Sequence, residues 1–230
     1  MVCLPRADLR VANDSAPLEM SCHRPGGATI PVVPPNLPPA QLVVLFGPPA
    51  VGKTAVGREL AKLTGFKLYH GHMTMDVISE FFPFGSPSFM RLHRLVQLQF
   101  LEEAAEQRMS MIVTTGWHFA APIDTAATIA LSEPFVTRGG AAHYVELWAP
   151  IEVRLQRNDT EERRGSKKTG WSTAEFLRHQ DSTQDRNSHG RLPVDLPFLR
   201  LETADMSAAD AAAAVAGYMS RSAAPAEARD

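Results

Sequence analysis

Hydrophobic positions take on a regular pattern from Gln41 onward, where short apolar runs alternate with stretches of helical period. Leu42 to Phe46 (LVVLF) is a run of β-formers that stops at Gly47-Pro48-Pro49, as a buried parallel strand does. Gly52 to Leu63 predicts an amphipathic helix with Val56, Leu60 and Leu63 on one side. Phe66 to His70 predicts a second strand, followed by a helix over Thr74 to Phe81 and a turn through Pro83, Gly85 and Pro87. Arg91 to Arg108 has helical spacing, with Leu95, Leu98 and Leu101 on one face. Met111 to Thr115 and His143 to Trp148 are the next strands, flanking a helix near Asp124 to Arg138. Ile151 to Arg157 predicts a short helix, and Ser172 to Gln184 another beyond a charged loop. Pro197 to Glu202 is the last strand, and the alanine-rich Ser207 to Met219 the closing helix, with Ser207 and Asp210 at its start. This alternation predicts an α/β fold: a five-stranded parallel sheet, helices on both faces, right-handed crossovers. Ligands on such sheets bind at the C-terminal strand ends.

The remaining composition narrows the picture. Before the pattern begins, Pro31, Pro34, Pro35, Pro38 and Pro39 remove backbone donors and favour an extended, solvated chain. Residues 1–39 therefore read as a disordered Pro-rich segment, 40–220 as the folded domain, and 221–230 as a disordered tail. The leading segment lacks the apolar stretch of a secretion signal, and Asp8, Asp14 and Glu19 argue against a transit peptide. No run of eighteen apolar residues is long enough for a membrane span. Cys3 and Cys22 both precede the domain and cannot staple its core, which suits a reducing, cytoplasmic setting. A net charge of −2 offers no general attraction to nucleic acid or anionic membranes.

The strongest chemical signal is Gly47-Pro48-Pro49-Ala50-Val51-Gly52-Lys53-Thr54, which fits G-x-x-x-x-G-K-[ST] at every fixed position. By average residue usage, a chain this long shows the pattern by accident in roughly one case in a hundred. Its place between an apolar strand and a helix lowers that further. Glycines let backbone N–H groups turn inward around a phosphate. The helix that opens there, through Ala55, offers its unsatisfied N–H groups and positive dipole end. Lys53 reaches the β- and γ-phosphates, and the Thr54 hydroxyl is placed to ligate Mg²⁺. The expected ligands are ATP and Mg²⁺.

Three further features bear on which P-loop chemistry this is. Arg154, Arg157 and Asn158, followed by a loop with Arg163, Arg164, Lys167 and Lys168, suit a lid that closes over a triphosphate. Such a cluster is expected to stay out of the interior. After the second strand, His70-Gly71-His72-Met73-Thr74-Met75-Asp76 faces the phosphate loop, where an acceptor hydroxyl would sit. His72 and Asp76 are four apart and can meet on one helix face, where a carboxylate raises imidazole basicity. Finally, the third strand ends in Thr114, Thr115 and Gly116 rather than an acidic residue, and no N-K-x-D motif reads guanine. A motor ATPase and a small GTPase each lose a required part. Thr115 is an alternative holder of a metal-bound water, or a residue bonded only locally.

Phe46 to Thr54, Tyr69 to Asp76 and Leu155 to Ser172 together resemble the shikimate kinase, nucleoside kinase and nucleotide kinase group of P-loop phosphotransferases. The resemblance extends to bacterial shikimate kinase-like proteins labelled AAA-family ATPases, and in layout to chloramphenicol phosphotransferase and tunicamycin-resistance proteins. It runs from about Leu42 to Met219. It implies that Arg157 lies near the base or ribose and that Arg163 contacts the phosphates and stabilises transferred charge. His72 falls where that group carries an acidic residue, and the shikimate-binding pattern is not recognisable, which argues against shikimate itself.

The function expected is transfer of the γ-phosphoryl of ATP to a hydroxyl, or a phosphate, on a small molecule such as a nucleoside or antibiotic. Lys53, His72, Asp76 and Arg163 carry the chemistry in this reading. Val77 to Arg94, with Phe81, Phe82, Phe84 and Phe89, selects the acceptor or simply fills the core; Trp117 and His118 are further wall candidates. The alternative is a nucleotide-dependent switch with slow hydrolysis and no acceptor. A nucleic-acid kinase is disfavoured by the balanced charge.

Overall fold

The computed structural model describes residues 38–159 and 173–222. The leading segment up to residue 37 and the expected lid with Arg163, Arg164, Lys167 and Lys168 lie outside the described residues. Five strands form one parallel sheet: β1 Gln41–Phe46, β2 Lys67–His70, β3 Met111–Thr114, β4 Ala141–Trp148 and β5 Phe198–Glu202. Their order is β2-β3-β1-β4-β5, every neighbouring pair parallel. The helices are α1 Lys53–Thr64, α2 His72–Ser79, α3 Pro87–Glu106, α4 Pro122–Ala130, α5 Glu133–Val136, α6 Ile151–Asn158, α7 Ala174–Thr183 and α8 Ala208–Ser222.

Burial on both faces explains why β1 is apolar throughout. Leu42, Val44 and Phe46 point into one layer with Leu101, Ala104 and Ala105 of α3, Phe135 of α5, and Trp117. Val43 and Leu45 point into the other with Val56 and Leu60 of α1 and Ala211, Ala212, Val215 and Met219 of α8. Small residues on α8 allow it to lie close to α1. The alternating side-chain period of a strand divides these two cores. Glu146, the one carboxylate buried in β4, accepts from the Ser188 N–H at 2.9 Å and from its hydroxyl, and faces Arg200 at 3.3 Å. It ties the segment after α7 to the sheet.

Several expectations are corrected. Leu63 is 60% exposed and Leu95 54%, so neither belongs to the core. The buried face of α3 instead runs through Phe89, His93, Gln97, Leu101, Ala104 and Ala105. The single helix near Asp124 to Arg138 is two, α4 and α5, with Pro134 in the first turn of the second. Proline is tolerated there because that N–H has no intrahelical partner. Phe81 is 76% exposed while Phe89 is fully buried, so those aromatics do not act as one set. The closing helix continues to Ser222, which takes Arg221 and Ser222 out of the expected disordered tail.

Candidate functional site

The turn between β1 and α1 is shaped by conformations that few side chains tolerate. Gly47 has φ 139°, and a Cβ there would stand 2.1 Å from the Leu147 carbonyl oxygen of β4. Gly52 has φ 108° and faces open space, so the backbone conformation is what calls for glycine. Between them Ala50 takes φ 67°, unusual for a residue with a side chain. Such reversals are the kind that turn successive N–H groups to one side, as anion-binding nests do. α1 then starts with no side-chain cap and no acidic residue in its first turn. Among the described residues no side-chain cap and no first-turn carboxylate competes with a phosphate for those donors. The Lys53 ammonium donates to the carbonyls of Gly47 and Pro48, each at 2.8 Å, and so lies across the loop.

Gly47, Pro49, Ala50, Val51, Gly52, Lys53, Thr54 and Ala55 all border one cavity of about 890 Å³. Pro48 turns to the opposite side, where it borders a smaller cavity of about 420 Å³. Two arginines of α6 brace the loop. Arg154 is only 3% exposed; it donates to Ala149 O at 3.0 Å, to Pro49 O at 3.4 Å, and to the Asp181 carboxylate of α7. The expectation that this basic cluster stays out of the interior therefore fails at Arg154, because each of its donors finds an oxygen. Arg157 donates to Val51 O at 3.0 Å, Thr203 Oγ1 at 3.2 Å, the Thr203 carbonyl and Ala204 O at 3.2 Å. It joins the phosphate loop to the β5–α8 turn while bordering the large cavity. Burial pulls its pKa down, and Asp205 opposes that.

The other end of the same cavity is walled by β2, α2, α3, α4 and the segment after α7. His70, His72 and Asp76 all border it. α2 begins at His72, with Gly71 as its cap residue, two residues before the expected start at Thr74. Burial lowers the His70 pKa, the Arg58 charge lowers it further, and the Asp76 carboxylate raises it. Asp76 therefore acts electrostatically on His70. His70 Nδ1 and Asp76 Oδ1 are both buried without a hydrogen-bond partner among the described residues. Thr115, offered as a water holder, donates locally to Gly116 O at 3.0 Å. Trp117 is fully buried and donates to Thr125 at 3.0 Å; it supports the wall from behind.

Sequence reasoning did not single out four residues here. Arg94 pairs with Asp124 at 2.9 Å across the chamber wall. Arg186 reaches the spot beyond β3 where no acidic residue stands; a Cβ on Gly116 would lie 2.1 Å from its Nη1. Its Nε donates to Gln184 Oε1 at 2.8 Å, and its pKa is lowered by burial and raised by Asp124. His93 and Gln97 sit one turn apart on the buried face of α3, 7% and 5% exposed. Their signal was present: two polar residues at i and i+4 interrupting the apolar stripe that Phe89 begins and Leu101 continues.

No protein-family model and no curated protein matches the chain. Among solved structures it is similar to a shikimate kinase from Acinetobacter baumannii in complex with shikimate, at 21% identity and TM-score 0.55, over 81% of this chain and 96% of that one. It is similar to an APS kinase from Mycobacterium tuberculosis in complex with AMPPNP and APS, at 15% identity and TM-score 0.54, over 80% and 99%. A gluconokinase from Sinorhizobium meliloti 1021 matches at 18% identity and TM-score 0.51, over 80% and 95%. Likeness at these identities is likeness of fold. The chain has the α/β P-loop NTPase fold of these small-molecule kinases, a five-stranded parallel sheet with the phosphate loop at the end of its central strand.

Proposed function

We propose that this protein is an ATP-dependent phosphotransferase that moves the γ-phosphoryl group to a hydroxyl of a small molecule. One observation carries the reading. A single cavity joins the anion nest at Gly47 to Thr54 with a polar chamber bordered by His70, His72, Asp76, His93, Arg94 and Arg186. A phosphoryl donor on the loop and an acceptor in the chamber would share that cavity, and phosphoryl transfer depends mainly on positioning and on charge stabilisation.

In this reading the loop amides and Lys53 hold the triphosphate. The Thr54 hydroxyl, at the cradle's edge, fits one position of an oxygen-ligated Mg²⁺ whose other ligands come from phosphate and water. The ion would neutralise charge on the β- and γ-phosphates. Asp76, with a buried carboxylate oxygen lacking a hydrogen-bond partner among the described residues, and His72 orient or deprotonate the acceptor. Arg157 borders the cavity beside the loop and lies near the base or ribose in this reading, and Arg163, outside the described residues, is expected to stabilise the transferred charge. The kinases among the similar structures support this reading through fold.

The test is ATP consumption measured across a library of hydroxylated acceptors, with products identified by mass spectrometry. Stimulation by a specific acceptor, a product heavier by one phosphoryl group, and loss of both in Lys53→Ala are the expected results. Slow hydrolysis unchanged by every acceptor would instead favour a nucleotide-dependent switch.

A further inference from the structure

The chamber's α3 wall carries a hydrogen-bonding pattern that can be worked out atom by atom. Thr74 Oγ1 lies 3.2 Å from Gly71 O, 2.8 Å from the Tyr69 hydroxyl and 3.0 Å from His93 Nδ1. A threonine hydroxyl has one proton to give and two lone pairs to accept with. The Gly71 carbonyl only accepts, so Thr74 donates to it. All three contacts are then satisfied in one way: Tyr69 O–H and His93 Nδ1–H both donate to Thr74. That leaves His93 Nε2 unprotonated. Among the described residues this nitrogen has no hydrogen-bond partner, and His93 borders the cavity beside Gly71, whose built Cβ would lie 3.8 Å from it.

One turn along, Gln97 also borders the cavity, and its Nε2 is buried with no partner among the described residues. A buried amide donor left unmade is costly, and because Gln97 borders the cavity a ligand oxygen there could satisfy it. The two polar positions differ in sense. His93 Nε2 can only accept, and Gln97 Nε2 can only donate.

Resting on the phosphotransferase reading, we propose that His93 and Gln97 are the acceptor-reading pair of this site, selecting a molecule that presents a donating hydroxyl to His93 and an accepting oxygen to Gln97. The class this fits is a compound with neighbouring oxygens, a polyol or an α-hydroxy carbonyl. The Tyr69–Thr74 relay is the positioning device, because it fixes the imidazole tautomer. Burial and the charges of Arg94 and His72 lower the His93 pKa to about 4, which keeps Nε2 an acceptor at neutral pH.

The experiment has two arms on the full chain. In the first, long-range ¹H–¹⁵N correlation of the ¹⁵N-labelled protein at neutral pH reports the His93 tautomer, with His93→Gln giving the assignment. A protonated Nδ1 and a bare Nε2, shifting toward a mixture in Thr74→Val, are expected; a protonated Nε2 in the unmodified chain overturns the proposal. In the second, His93→Gln and Gln97→Leu are compared using the acceptor that the library identifies. Each should raise the KM for that acceptor about tenfold or more while leaving the KM for ATP unchanged. The deoxy analogue lacking the oxygen that faces Gln97 should bind the original chain and Gln97→Leu alike. An unchanged acceptor KM in folded variants overturns the pair, whereas a library with no hit sinks the phosphotransferase reading and leaves the tautomer measurement standing.

Discussion

At the residue scale, the proposed function rests on backbone positions that admit no side chain and on buried polar atoms without hydrogen-bond partners among the described residues. Gly47→Ala must place a methyl where the Leu147 carbonyl oxygen already lies, 2.1 Å away, so the loop or β4 must shift. Thermal unfolding and nucleotide titration should both register it, with lower stability and lost binding; an unchanged protein would refute the close approach. His93 gives a prediction with a definite sign. Its pKa is about 4 when folded and near 6.5 when unfolded, so between those values the unfolded chain binds the extra proton. Stability from this group is complete above about pH 6.5 and is lost as pH falls through 4, by roughly 3 kcal/mol. Denaturant unfolding from pH 7 to 4 should show that loss, and His93→Gln should flatten it. The glycines, Lys53 and Thr54 were legible in the sequence because a phosphate loop is built from consecutive residues. Arg186 was not, because its place beside Gly116 comes from packing between elements far apart in the chain, and His93 and Gln97 left only a faint signal, two polar positions on the buried face of α3.

At the element scale, strands and helices followed the hydrophobic pattern closely, and the errors have physical causes. Helical period identifies a face but not how much of it is covered, which is why Leu63 and Leu95 prove exposed. The Ser207 start of α8 was legible because capping is local: Ser207 Oγ accepts from Asp210 N–H at 3.1 Å and donates to its carboxylate at 2.6 Å. Arg154 was misread because sequence shows a charge and not its partners. This side chain joins α6 to the phosphate loop through Pro49 and to α7 through Asp181. Arg154→Ala strips buried carbonyls of a donor, at a cost of about 2 kcal/mol. A melting temperature lower by about 5 °C, with weaker nucleotide binding, is the expected outcome. Unchanged nucleotide affinity would show that the brace does not shape the loop.

At the scale of the whole molecule, the alternation of elements was enough for a parallel sheet, yet it left the strand order open. That order places β1 between β3 and β4, so the loops after β1, β2 and β3 open together at one end of the sheet. Open α/β sheets bind ligands there. The nest at Gly47–Gly52, the histidines after β2 and the Gly116 corner after β3 thus share one cavity although separated widely in sequence. Among the described residues no helix is long and apolar enough to cross a membrane, and no cluster of His, Cys, Asp and Glu forms a metal site by itself.

All of this depends on the phosphate loop taking up a nucleotide. Calorimetric titration of the folded chain with Mg·ATP should show saturable binding, and Lys53→Ala, still folded, should bind about a hundredfold or more weakly because its charge-assisted contacts are gone. No saturable uptake by the folded chain, or equal affinity in the variant, would contradict the account.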